Sequence, residues 1–152
     1  MLHKPAQDIP TRLDTERLVV RKYSEGDGRD LYSLLERNHN REFLRENVEE
    51  VSSIKTEEEA EVNVRKHSDE WFARDRFVMG IWLKSEDKCV GQIWIEPKNW
   101  EVPSFEIGWF LDQGYQGRGI AEEAARRSLE FLFSNLNAHK VISITRDTNF
   151  KA

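Results

Sequence analysis

Apolar and polar positions recur with two periods along this chain, and the switches between those periods outline its elements. Thr15-Glu16-Arg17-Leu18-Val19-Val20-Arg21 alternates and is β-branched, which predicts a first strand. Residues 1–14 are polar, carry Pro5 and Pro10, and read as an N-terminal arm ahead of a single domain over 15–152. Ser24 followed by Asp27 resembles a helix start, and Leu31, Leu34 and Leu35 then give one apolar face up to about Asn38. Residues 39–55 are irregular, with room for a short helix near 41–47. Thr56-Glu57-Glu58-Glu59 has the form of a capping box, and Ala60, Val64 and Trp71 continue at helical spacing toward Arg74. Strands over 77–83 and 89–95 flank the polar turn Ser85-Glu86-Asp87-Lys88, a hairpin. A loop between Pro97 and Pro103 leads to a strand over 105–111. Beyond it, Ala121, Ala125, Leu129, Leu132 and Leu136 mark the apolar stripe of a helix over 121–136, and Val141-Ile142-Ser143-Ile144-Thr145 reads as the last strand. A closing strand–helix–strand unit implies a parallel pair, while the hairpins before it imply antiparallel ones, so the sheet is mixed.

Between the 105–111 strand and the helix after it stands Gly114-Tyr115-Gln116-Gly117-Arg118-Gly119-Ile120-Ala121. The first turn of a helix has backbone N–H groups without partners, and the helix dipole adds positive potential there. Glycines let that backbone approach an anion and adopt positive φ, so such a turn can cradle phosphate. A Walker A loop is excluded, because no lysine followed by Ser or Thr stands here. A Rossmann turn is excluded because the glycines run G-x-x-G-x-G, the reverse of G-x-G-x-x-G. A strand-to-helix turn that binds nothing can carry the same glycines, so the surrounding sequence has to decide.

Composition narrows the setting. At 152 residues the chain has the length of one domain; 38% of it is apolar and 34% charged, with five Trp and eight Phe supplying bulk to a core. No window approaches a membrane span and the N-terminus lacks the apolar run of a signal peptide, so a cytoplasmic location is expected. A single cysteine, Cys89, permits no internal disulfide. The net charge of −5 argues against nucleic acid and is compatible with a cationic acceptor such as an amine. His3, His39, His67 and His139 are scattered without ligand spacing, so no metal is expected.

The element order, together with Gln116-x-x-Gly119-x-Ala121, resembles the GNAT superfamily of N-acetyltransferases and its Q/R-x-x-G-x-G/A pyrophosphate loop. The resemblance covers almost the whole chain from Thr15 onward. Thr15-Glu16-Arg17-Leu18-Val19-Val20-Arg21 is similar to the T-x-R-L-x-L-R start of the branch that acetylates N-terminal amines of ribosomal proteins. Val90-Gly91-Gln92-Ile93 and Glu106-Ile107-Gly108-Trp109 resemble that branch's third and fourth strands. The resemblance implies an α+β fold of the acyl-CoA N-acyltransferase type, a mixed, twisted β-sheet flanked by helices in αβα layers.

It also implies acetyl-CoA as co-substrate and an amine as acceptor, a peptide N-terminus first and a small molecule second. Carried over by position, the backbone N–H groups of Gly117, Arg118, Gly119, Ile120 and Ala121 would hold the pyrophosphate, with Gln116 bracing the turn. Phe110 and Leu111 would pair with the pantetheine arm through their main chain, and Asn149 matches an asparagine near that arm. Arg118, Arg126 or Arg127 would reach the adenosine phosphates, although a solvated helix face explains at least one of them. Acetyl transfer requires a neutral amine, hence a base. Glu106 is the first candidate, with a partnered structural carboxylate as the competing reading; Glu96 is the second. Cys89 as a nucleophile is chemically conceivable, but it stands at a strand start with no His beside it in sequence and reads as a small buried hydrophobe. Trp94, Trp100 and Trp109 read as core or cleft wall, with Trp100 also a candidate acceptor contact.

The resemblance departs at the end. Asp147-Thr148-Asn149-Phe150-Lys151-Ala152 looks like the start of the family's last section, whose helix carries a Ser or Tyr that protonates the thiolate and whose further strands close the sheet. The expectation is therefore a fold incomplete at its C-terminus, without the usual proton donor and with 141–145 as an exposed edge open to a homodimer. That leaves a second reading, a non-catalytic acyl-CoA-binding module, and a third, a nucleotide-phosphate binder using the same cradle.

Overall fold

The computed structural model describes residues 8–143, apart from the side chains of residues 46 and 47. Strands β1 (Arg12–Asp14), β2 (Leu18–Lys22), β3 (Phe77–Leu83), β4 (Lys88–Asn99), β5 (Ser104–Leu111) and β6 (Lys140–Ser143) form one sheet in chain order. Every neighbouring pair is antiparallel except β5 and β6, which run parallel. Helices α1 (Gly28–Glu36), α2 (Asn40–Asn47), α3 (Glu49–Ser52) and α4 (Glu57–Ala73) connect β2 to β3, and α5 (Ile120–Asn135) connects β5 to β6. The mixed, helix-flanked α+β sheet expected from the sequence is therefore present.

Alternation along the central strands feeds two cores. Phe77, Met79, Ile81, Ile93, Ile95, Phe105 and Ile107 pack on one face with Phe131 and Leu132 of α5. Val78, Trp82, Cys89 and Phe110 pack on the other with Leu31, Leu34 and Leu35 of α1 and Val64 of α4. All seven residues of β3 are buried, as a strand covered on both faces should be.

Several local readings change. The N-terminal arm is shorter than 1–14, since Arg12–Asp14 pairs with β2 and both Ile9 and Leu13 are buried. In the α4 cap the Thr56 hydroxyl accepts the Glu59 N–H at 3.1 Å, but Glu59 reaches back to the Lys55 N–H at 3.3 Å rather than to that of Thr56. Pro97 lies inside β4, opposite Phe105, with a register shift between Pro97 and Asn99, so the loop expected from 97 to 103 is reduced to a tight connection. Leu132 and Leu136 are buried as predicted, but over the first turns of α5 the buried residues are Ile120, Ala124 and Ser128, one residue out of step with Ala121, Ala125 and Leu129. Phe131 sets that rotation, because its ring packs against both Trp71 and Phe77 at 6.4 Å between centroids. Ser128 fits the buried stripe because its hydroxyl donates to the Ala124 carbonyl at 2.9 Å.

Candidate functional site

The β5–β6 register runs from Ser104 opposite Lys140 to Ile107 opposite Ser143 and goes no further among the described residues. Among the described residues, 108–111 of β5 pair with β4 and no strand pairs with their other main-chain edge. A strand edge of that kind can take an added extended segment. Phe110 and Leu111 both lie on that edge; their side chains are buried in opposite cores. The Trp109 indole N–H on the same stretch is buried without a partner.

A short 3-10 turn, Gln113–Tyr115, leaves the end of β5 and runs into α5. Gly117 and Gly119 have φ of +79° and +75°, a conformation that side chains disfavour. No atom lies within 4 Å of where a Gly117 Cβ would stand, so what that position requires is conformational freedom rather than space. Gly119 is the N-cap of α5, and no side chain caps the helix. The first intrahelical bond runs from the Glu123 N–H to the Gly119 carbonyl at 3.0 Å, leaving the amides of Ile120 and Ala121 facing outward without intrahelical partners. The Arg118 guanidinium folds back over the Tyr115 ring at 4.9 Å, and Gln116 donates from its amide to the Leu111 carbonyl at 3.2 Å.

Side chains invisible to the motif hold this turn in place. Asp112 is fully buried at the end of β5 and accepts from the Gly114 N–H (2.9 Å), the Asn38 amide (2.9 Å) and Arg37 Nε (3.0 Å). Burial raises the pKa of this carboxyl, but the donors from Asn38 and Gly114 outweigh it and hold the group below the usual range. Asn40 accepts from the Gln113 N–H at 2.8 Å, and Gln113 donates to the Asn38 and His39 carbonyls at 3.0 Å. A Cβ on Gly114 would lie 2.5 Å from the Asn38 amide nitrogen, so a side chain there would displace Asn38 from Asp112. On the other side, Arg17 in the β1–β2 connection donates to the Arg118 carbonyl and pairs with Glu123. A weak signal for Asp112 was available in the sequence: an Asp two residues before a Gly makes an Asx-turn. The Arg37, Asn38 and Asn40 contacts span more than 70 positions and leave no local trace.

The carboxylate candidates lie elsewhere. Glu106 and Glu96 are cross-strand partners on β5 and β4. Lys98 bridges them at 3.2 Å to Glu96 and 3.4 Å to Glu106, and Arg76 approaches Glu96 at 3.3 Å. Glu106 therefore sits where β5 and β6 are still paired, roughly 13 Å along the strand from Phe110. The Trp94 ring covers Gly108 between them, where a Cβ would be 2.5 Å from the indole.

The remaining candidates are placed plainly. Trp100 is no acceptor contact: it is buried against Phe77 and Phe105, with centroids 6.3 and 5.4 Å away. Cys89 is buried, and that burial pushes its thiol up to about 12, which suits a core residue and not a nucleophile. Arg126 pairs with Glu122 at 2.8 Å and Arg127 donates to the Asp14 carbonyl at 3.2 Å; both line a cleft of about 550 Å³ beside Gly119. His67 is buried against Glu70, and no cluster of metal-ligating side chains occurs among the described residues. No helix among them is long and apolar enough to cross a membrane. Asn149 and His3 lie outside the described residues.

Comparison with known proteins agrees with this architecture. The uncharacterized N-acetyltransferase YnaD of Bacillus subtilis (strain 168) is 28% identical over 137 residues, covering 90% of this chain and 74% of the relative. The probable N-acetyltransferase YjcK of the same organism is 27% identical over 110 residues, 68% of this chain and 59% of its own length. Among solved structures, RimL, the ribosomal L7/L12 alpha-N-protein acetyltransferase in complex with coenzyme A, superposes with a TM-score of 0.79 at 17% identity, covering 93% of this chain and 76% of that one. The profile of the acetyltransferase (GNAT) domain matches residues 17–152, and by that match, from the first central strand through the cradle, the chain belongs to the GNAT acetyltransferase family.

Proposed function

We propose that this chain transfers an acetyl group from acetyl-CoA to an amine, a protein N-terminal α-amine in the first place and a small-molecule amine in the second. The observation that carries the donor half is the uncapped, doubly left-handed turn into α5 at the end of β5, whose residues 108–111 pair with β4 and, among the described residues, with no other strand. The amides of Gly117, Arg118, Gly119, Ile120 and Ala121 would take the diphosphate, and the main chain of Phe110 and Leu111 the pantetheine arm. Gln116 would keep the turn seated through its bond to Leu111. Acetyl-CoA, when bound, would supply an activated thioester carbonyl.

The acceptor amine must lose a proton before it attacks. Glu106 is proposed as the base, acting through water given its distance from the end of the strand. Lys98 stands 3.4 Å from Glu106. The N-terminal acceptor is favoured by the likeness of the 15–21 segment to enzymes of that branch, and RimL acts on a ribosomal protein N-terminus by its own description. Asn149 stays part of the proposal as a pantetheine neighbour.

The test is release of free CoA thiol from acetyl-CoA with peptides of varied N-terminal residue set against simple amines. Thiol release with peptides and little with free amines supports the N-terminal acceptor. Binding of acetyl-CoA with no release for any amine would replace this reading with a non-catalytic acyl-CoA module.

A further inference from the structure

The cradle has an anchor that no motif assigns. Arg17 donates from one arm of its guanidinium to the Arg118 carbonyl at 2.9 Å and from Nε to Glu123 at 2.7 Å. Its own backbone N–H reaches the same carboxylate at 3.2 Å, and the Thr15 hydroxyl hydrogen-bonds it as well. Thr15 in turn accepts the Leu18 N–H at 2.9 Å, so the group is tied to the start of β2. The connection between β1 and β2 is thereby fastened to both the last residues of the cradle and the first turn of α5.

The fastening falls on a peptide that has little else to hold it. Arg118 is flanked by two left-handed glycines, and a Gly117 Cβ would meet nothing within 4 Å. Glycine on both sides lets a peptide plane rotate at low cost. All described peptides are trans, so the Arg118 carbonyl and the Gly119 N–H point in opposite directions from one plane. Holding the carbonyl toward Arg17 therefore holds the Gly119 N–H away from it. Glu123 would otherwise place an unpaired negative charge in the first helical turn, beside any bound anion. Burial raises its pKa, yet the bonds from Thr15 and Arg17 bring it below the usual range, so the pair is ionic.

We infer that Arg17 is a positioning residue for donor binding: it aims the Gly119 amide at the diphosphate and screens Glu123 from it. This rests on the reading of the cradle as the diphosphate site of acetyl-CoA. Arginine is suited to the task because its planar fork serves a carboxylate and a carbonyl at once, whereas lysine offers a single point charge.

Calorimetric titration of the full chain with CoA and with ADP, in wild type, R17K and E123Q, tests it. R17K can still pair with Glu123 but cannot also hold the Arg118 carbonyl. It should melt with the wild type yet bind CoA and ADP each about tenfold more weakly, the worth of one charge-assisted hydrogen bond. The loss should be equal for the two ligands, because it belongs to the diphosphate they share. E123Q removes the charge and leaves Arg17 on the carbonyl, so it should bind ADP at least as tightly as the wild type; this arm decides the matter if R17K does not fold. R17K binding both ligands like the wild type, or E123Q losing ADP affinity, overturns the inference alone. A wild-type chain that binds neither CoA nor ADP overturns the donor-site reading beneath it.

Discussion

The two ends of β5 treat polar groups in opposite ways. At its C-terminal end the backbone donors of the turn into α5 stand open while the side chains around them are fully engaged, with Asp112, Asn38, Asn40, Arg37 and Arg17 each bonded to the turn or to one another. At its N-terminal end the reverse holds: the ladder to β6 is closed, and the side chains Glu96, Lys98 and Glu106 form a half-exposed ionic cluster. An anion site wants donors that are rigid and unpaired, so its side chains serve as scaffold. On the proposed reading, the second cluster offers a carboxylate for proton transfer, and it lies among charged side chains rather than in a rigid turn.

The largest effect expected from breaking this contrast is at Asp112. D112A removes a fully buried carboxylate and strands Arg37 and Asn38, and should cost about 3 kcal/mol of stability, read as a lower denaturation midpoint. The acid dependence sharpens the point. A carboxyl whose folded pKa lies below its unfolded value contributes stability that is present above about pH 4 and is lost as pH falls through the folded value. Wild type should therefore lose stability in that acid window more steeply than D112N, a difference that pH-resolved unfolding measures.

Next in size is E106Q, which should lower kcat about a hundredfold if Glu106 is the base while leaving the affinity for CoA unchanged. Equal kcat in E106Q and wild type would return Glu106 to a structural carboxylate. G117A is smaller: a Cβ meets no atom, so only the left-handed backbone is penalised, by about 1 kcal/mol. Its signature is a loss of affinity for ADP with a modest change in melting temperature. The smallest effect is expected from K98M. It removes partly exposed bridges to Glu96 and Glu106, so the melting temperature should stay close to that of the wild type.

Local patterns in the sequence were enough to order the longer strands and helices and to locate the glycine turn, because periodicity and glycine placement are local. The misjudged features are those decided by distant packing. The stripe of α5 shifted by one residue because Ala121 and Ala125 compete on paper with Ala124 and Ser128, and only the contact of Phe131 with Trp71 and Phe77 separates them. The loop predicted between two prolines is too long, because β4 continues through Pro97; Trp100, read as core or cleft wall, packs in the core from the short turn that remains. The supports of the cradle, Arg37 to Asp112 and Arg17 to Arg118, join segments 75 and 101 positions apart. Nothing in a stretch of sequence records a bond of that span.

The most direct measurement is an amide-resolved NMR titration with ADP and then with acetyl-CoA. The account calls for the Gly117, Gly119, Ile120 and Ala121 amides to move with both ligands, and for those of Phe110 and Leu111 to move with acetyl-CoA alone. Resonances in the turn that stay fixed while acetyl-CoA binds, or shifts confined to another part of the sheet, would contradict it.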